Sequence, residues 1–167
     1  MLNSTCLRIA AATAALALLP IPATAATVSN NLAVNATVTA NCTITTSALA
    51  FGSVDTLSAS PVDGTGGLVV TCTNGTAWTA AANVGGGAGA TFAVRRMTSG
   101  ANTLNYSIYT SAARTTVWGD GTGTTATLGN TGTGAAQNVT VYGRIPGSQG
   151  SAPAGAYSDT VAVTITY

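Results

Sequence analysis

Residues 30–42 read NNLAVNATVTANC. Leu32, Val34, Ala36, Val38 and Ala40 fall on one side of an extended chain, with Asn31, Ala33, Asn35, Thr37, Thr39 and Asn41 on the other. This period of two is the pattern of a half-buried strand. The stretch carries no charge and no proline, the two devices that usually guard a strand edge. A strand over residues 30–42 is therefore expected, and pairing is its expected task.

Upstream, residues 1–25 read as a secretory signal peptide. MLNSTCLR carries one positive charge, IAAATAALALLP is a short apolar run, and Ala23-Thr24-Ala25 is a small-x-small cleavage site. The apolar run is too short to span a bilayer as a helix. Cys6 lies before that run, so it is not a lipid-attachment cysteine and leaves with the leader. Cleavage after Ala25 leaves 142 residues, enough for one domain with a core.

Downstream, short alternating runs recur every 8 to 15 residues. Leu49-Ala50-Phe51-Gly52 is a short apolar piece. LVVTCT (68–73) aligns Leu68, Val70 and Cys72; WTAAAN (78–83) aligns Trp78, Ala80 and Ala82; LNYSIY (104–109) aligns Leu104, Tyr106 and Ile108. TFAVRRM (91–97), TTVW (115–118), TATL (125–128), NVTVYGRI (138–145) and YSDTVAVTITY (157–167) complete the set. GGGAG, SGAN, GDGTGT, GNTGTG and IPGSQGSAPAG between them are turn chemistry. No segment beyond the leader has a helical period, and no domain boundary or repeat is visible. The expected fold is an all-β antiparallel sandwich, immunoglobulin-like. In its last strand Val161, Val163, Ile165 and Tyr167 share a face, and no neighbouring strand is in sight to cover them.

Composition excludes more than it assigns. There is no Lys, Glu or His, and only five Arg and four Asp, against 31 Thr and 20 Gly. Nucleic acid and anionic membranes are not expected partners, since both need clustered Lys or Arg. Low charge also removes the repulsion that keeps soluble proteins apart, which suits a chain that works in an assembly. General acid–base chemistry lacks His and Glu, and Asp55, Asp63, Asp120 and Asp159 are scattered. A Ser nucleophile has no base, zinc has no ligand set, and GDGTGT (119–124) lacks the Lys and helix of a phosphate loop. It reads as a hairpin with Asp-Gly at a tight turn. The expectation is no enzyme, no cofactor and no metal. Trp78, Trp118, Tyr106, Tyr109 and Tyr142 read as core or sheet-face packing before a sugar platform. Of Arg95-Arg96, alternation sends one to each face, one exposed and one paired with an Asp.

The mature chain keeps Cys42 and Cys72. An even count in an exported chain favours a disulfide over two free thiols.

LAFGSVD (49–55), VTCTNGT (70–76), RRM (95–97), LNYSIYTSAARTTVWGDGTG (104–123), VYGRIP (141–146) and GAYSDTVAVTITY (155–167) together resemble the spore coat protein U domain family, which includes the Csu-type pilins of archaic chaperone–usher pili. The resemblance covers residues 28–167. It implies an immunoglobulin-like sandwich lacking its last strand, with an apolar groove beside the C-terminal strand. A periplasmic chaperone fills this groove first; at the outer-membrane usher the N-terminal strand of the next subunit replaces it, a form of β-augmentation.

Residues 26–40 would then be a donor-strand arm and 41–167 the sandwich domain. Leu32, Val34, Ala36 and Val38 would fill a neighbour's groove, and Val161, Val163, Ile165 and Tyr167 would form the strand gripped by chaperone or donor. Ala36 is the small member of its row and leaves the register open. A one-domain chain with an arm looks like a stalk subunit, used in surface adhesion and biofilm formation and exported through the periplasm to the cell surface. Its expected partners are other pilus subunits, the chaperone and the usher, without stable membrane insertion. The alternatives are a secreted spore-coat or matrix protein that forms no fibre, and a carbohydrate-binding sandwich.

Overall fold

A computed structural model describes residues 22–167. Of the expected leader, residues 1–21 lie outside the described residues. The chain divides into two units, one ending at Ala36 and a body spanning Thr37–Tyr167. In the first, residues 22–36 form no regular element and every one is exposed. Residues 37–41 of the body are likewise exposed and irregular, and β-structure begins at Cys42. The strand expected over 30–42 is therefore not formed within this chain. Alternation prepares a segment for a ladder, but a ladder needs a second strand.

Every regular element among the described residues is a β-strand. In order they are β1 (Cys42–Ala50), β2 (Val62–Cys72), β3 (Ala77–Ala82), β4 (Arg95–Ser99), β5 (Asn102–Tyr109), β6 (Leu128–Thr131), β7 (Gln137–Ile145) and β8 (Val163–Thr166). One sheet runs β1-β2-β7-β5-β4 and the other β6-β3-β8. All strand pairs are antiparallel. This is the expected all-β sandwich.

The alternating rows read from the sequence build its core. Leu68, Val70 and Cys72 of β2, Trp78, Ala80 and Ala82 of β3, and Leu104, Tyr106 and Ile108 of β5 are all buried. Both indoles are buried as well, with their N–H groups satisfied: Trp78 Nε1 donates to Gln137 Oε1 (3.2 Å) and Trp118 Nε1 to the Ala80 carbonyl (2.9 Å). Neither offers a face to a sugar.

Four local readings are corrected. The run 91–97 becomes strand only at Arg95, because Thr91 and Val94 close a turn: Val94 N–H donates to Thr91 Oγ1 (3.1 Å) and Thr91 N–H to the Val94 carbonyl (2.9 Å). TTVW and TATL reduce to isolated bridges, Tyr109 with Val117 and Trp118 with Ala126, while β6 runs on through Gly129-Asn130-Thr131, a stretch that reads as turn. GDGTGT is no two-residue hairpin. It is a loop wound on Asp120, whose Oδ1 accepts from Thr122 N–H (2.9 Å) and Thr122 Oγ1 (2.6 Å), and the Trp118–Ala126 bridge across its base is parallel. Finally, the buried member of the arginine doublet pairs with carbonyls instead of an Asp. Arg95 is fully buried; Nε (3.0 Å) and Nη2 (2.8 Å) donate to Asn83 O, Nη1 to Phe92 O (3.0 Å), and Nη2 also to Trp118 O (2.8 Å). Backbone carbonyls from three separate segments thus take the place of a counter-ion.

Candidate functional site

Two strands of the sandwich have only one neighbour on the side where the sheets would otherwise close. Among the described residues β1 pairs with β2 alone and β8 with β3 alone. Thr73 N–H donates to the Asn41 carbonyl (2.9 Å), which sets the ladder phase. Thr43, Thr45 and Ser47 therefore face β2, and the peptide groups of Ile44 and Thr46 point to the free edge. Asn83 N–H donates to the Ala162 carbonyl (3.0 Å) in the same way, so Thr164 and Thr166 face β3 and the peptide groups of Val163 and Ile165 point outward. Along residues 157–165 every odd position is half-buried and every even one exposed. Tyr157, Asp159, Val161, Val163 and Ile165 thus form one inward-facing row.

Between these edges lies an open cleft of about 420 Å³. Its floor is the core itself: Leu68, Tyr106, Ile108, Trp118 and Val141. Its walls are Thr46–Leu49 on one side and Tyr157–Val163 on the other. Past Leu49 and Phe51 it meets a second cleft of about 730 Å³, floored by Leu104, Ile145 and Ala152 and bounded by the loops around Leu57 and Pro153. A groove whose floor is core, with unpaired peptide groups along its rims, can accept an apolar strand. Burying a Leu or Val there contributes about 1.5–3 kcal/mol, and each ladder hydrogen bond a net ~0.5–1.5 kcal/mol.

A bulge shapes the waist between the two clefts. In β1, Ser47 pairs with Gly67 and Ala50 with Thr65, so one extra residue enters between them. An extra residue flips the alternation. Cys42 and Ile44 face inward before the bulge, and Leu49 and Phe51 do so after it. There they rest on glycines of β2 and β7. A Cβ on Gly143 would lie 2.7 Å from both Leu49 Cδ2 and Phe51 Cζ, and one on Gly66 would lie 2.9 Å from Leu49 Cβ. Only glycine lets these side chains settle so close to the sheet.

The opposite wall is held by a polar clasp. Asp159 Oδ1 accepts from Gly86 N–H and Thr160 N–H (both 2.7 Å), and its Oδ2 from the Tyr106 hydroxyl (2.6 Å). Burial, then the hydrogen bond to Asp159, push the Tyr106 hydroxyl well above its ordinary pKa, so it remains a donor. Asn83 Oδ1 accepts from Gly85 N–H and Ala162 N–H (both 3.0 Å). Burial lowers the Arg95 pKa, opposed by the fields of Tyr106 and Asp159. In sequence Tyr106 reads as packing, Asp159 as a scattered carboxylate and Arg95 as half of a doublet, and that reading does not bring them together with Asn83. The available signal was scarcity: with so few charges, an Arg and an Asp inside alternating runs call for partners.

Cys42 and Cys72 form a disulfide and stand directly opposite each other in the β1–β2 ladder, Cα atoms 4.1 Å apart. Leu32, Val34 and Val38 are 83–88% exposed, and Ala36 is exposed too. Val161, Val163 and Ile165 line the inner face beside the groove, while Tyr167 is 56% exposed. Of the remaining carboxylates, Asp63 is bound by Arg144 (2.7 Å) and Arg114 (3.3 Å), and Asp55 and Asp120 accept from turn amides. Among the described residues no helix is long and apolar enough to cross a membrane.

The Spore Coat Protein U domain family model matches residues 28–164. "Protein U" of Myxococcus xanthus is 41% identical over 177 residues, spanning 95% of this chain and 96% of that protein. Among solved structures, similarity extends to a chain of the CsuC–CsuE chaperone–tip adhesion subunit pre-assembly complex from archaic chaperone-usher Csu pili of Acinetobacter baumannii. There the TM-score is 0.56 at 24% identity, over 78% of this chain and 40% of that one. That last likeness is one of fold.

Proposed function

The chain belongs to the Spore Coat Protein U domain family, and on that premise we propose that it is an exported structural subunit that polymerises by donor-strand exchange. Residues 1–25 are the leader, 26–40 the donor arm, and 41–167 the acceptor sandwich. One observation carries this reading. An apolar groove runs between two unpaired strand edges, and the same chain holds a row of fully presented apolar side chains at strand spacing. Leu32, Val34, Ala36 and Val38 of one copy fill the groove of another, along Val161, Val163, Ile165 and Tyr167. A periplasmic chaperone occupies the groove beforehand and an outer-membrane usher exchanges it. The fold likeness to a chain of a chaperone–tip adhesion subunit complex supports a chaperone and other subunits as partners. The presence of an arm favours a stalk position in a surface fibre serving adhesion and biofilm formation.

Deleting residues 26–38 should abolish polymerisation of the purified mature protein and leave chaperone binding intact. An intact mature chain that stays a monodisperse, stable monomer would overturn the proposal. A second reading, a coat or matrix protein that exchanges strands without building a fibre, is favoured by the description of the family as a spore coat domain. Electron micrographs of the producing cells separate the two, since only the first yields thin fibres.

A further inference from the structure

The groove is not uniform along its length, and neither is the row meant to fill it. Resting on the donor-strand reading above, we propose that Ala36 sets the register of the joint by crossing the groove at its waist. At that point the two walls are linked through the floor. Phe51 of the β1 wall packs edge-on against Tyr106, ring centroids 6.2 Å apart, and the Tyr106 hydroxyl is bonded to Asp159 of the opposite wall. Leu49 stands beside Phe51 on the glycine shelf and borders both clefts. A side chain entering here meets a filled, hydrogen-bonded bridge, while those on either side meet open space. In the arm the apolar row runs Leu32, Val34, Ala36, Val38, and its one small member lies between larger ones.

Parity and direction fix the rest. The incoming strand runs antiparallel to β8, as every strand pair here does and as the stronger ladder requires. The inward row beside β8 is odd-numbered and the arm's apolar row is even-numbered, so residues directly opposite share the inner face. Ala36 then lies across from Asp159, Val34 from Val161 and Leu32 from Val163. Val34 and Leu32 enter the cleft above Trp118 and Ile108, and Val38 enters the second cleft beyond the waist. A slip by two residues in either direction places Val34 or Val38 on the bridge.

The test refolds the full mature chain, residues 26–167, with an excess of labelled synthetic peptide of residues 28–40, so that the peptide competes with the chain's own arms, and reads bound peptide by fluorescence anisotropy. Parallel refoldings use Ala36→Leu and Val38→Leu peptides. The expected result is binding of the native peptide, a loss of roughly tenfold or more for Ala36→Leu, as overpacking implies, and a change under about threefold for Val38→Leu. A body with Phe51→Ala, its folding checked by thermal unfolding, should recover much of the affinity for the Ala36→Leu peptide. If the native peptide binds and Ala36→Leu binds as well or better, the register is overturned while strand exchange stands. If the native peptide binds no better than a scrambled one, the donor-strand reading falls and the register with it.

Discussion

Two rows in this molecule share one pattern and meet opposite fates. Leu68, Val70 and Cys72 alternate with Val69 and Thr71 and are 0–3% exposed. Leu32, Val34 and Val38 alternate with Ala33, Asn35 and Thr37 and are 83–88% exposed. The difference is not in hydrophobicity or spacing. β2 lies between β1 and β7 and faces the second sheet, so its ladder and its inner face both find partners in the chain. The arm finds neither. Period-two patterning therefore states which face a segment wants to bury, and topology decides whether the chain supplies the burial itself.

The most drastic way to probe that contrast is to remove one row. Deletion of residues 26–38 should eliminate assembly, read as loss of the polymer ladder on a native gel. Unfolding free energy of the remaining body should stay within ~0.5 kcal/mol of the parent, as for other surface changes. The paired substitutions Leu68→Ala and Leu32→Ala test the same contrast at one side chain. The first should destabilise the fold by about 2–5 kcal/mol. The second should leave denaturant midpoints unmoved, while lowering affinity in the anisotropy assay by about 1.5–3 kcal/mol. An equal effect of both on stability would erase the distinction between the rows.

Two further changes sharpen it. Replacing Cys42 and Cys72 together by Ser should cost about 3–4 kcal/mol by chain entropy for a separation of 30 residues, measured by urea unfolding with and without reductant. The arm peptide's affinity for any folded remainder should change little. The smallest expected effect is that of acid. The hydrogen bond from Arg144 holds the Asp63 pKa below its ordinary value of 3.8, against the opposing effect of burial, with smaller help from the fields of Arg114 and Arg144. A depressed carboxylate stabilises the folded state fully above its unfolded value and loses that contribution as pH falls through the folded one. Asp63 is 38% exposed, so the loss below about pH 4 should stay under ~1 kcal/mol and vanish in Asp63→Asn. Asp63 lines neither cleft, so Asp63→Asn should leave peptide affinity unmoved while the body remains folded.

The sequence revealed the faces more readily than the junctions. Rows 68–72, 78–82 and 104–108 could be read because each side chain's face follows from counting by two, and the disulfide because an exported chain with two cysteines has few other uses for them. The waist of the groove was not legible. It depends on a bulge between Ser47 and Ala50 that reverses the count, on Gly66 and Gly143 lying under Leu49 and Phe51, and on Tyr106 reaching Asp159 across 53 positions. Arg95 misled for a related reason. Its acceptors are the carbonyls of Asn83, Phe92 and Trp118, and a backbone acceptor leaves no mark in a residue's letter. β6 ran through Gly129-Asn130-Thr131 because β3 offered a ladder, which outweighed local turn preference.

The Cys42–Cys72 bond stands at the first residue of β1, where the arm leaves the body. In the proposed fibre, tension entering the body through residues 26–40 would reach β1, an edge strand, first. The covalent bond would pass that tension on into β2, which is flanked on both sides within its sheet. Load would then be shared between two strands, and if copies are joined only by inserted strands, as proposed, the first element to yield would be the joint rather than the fold.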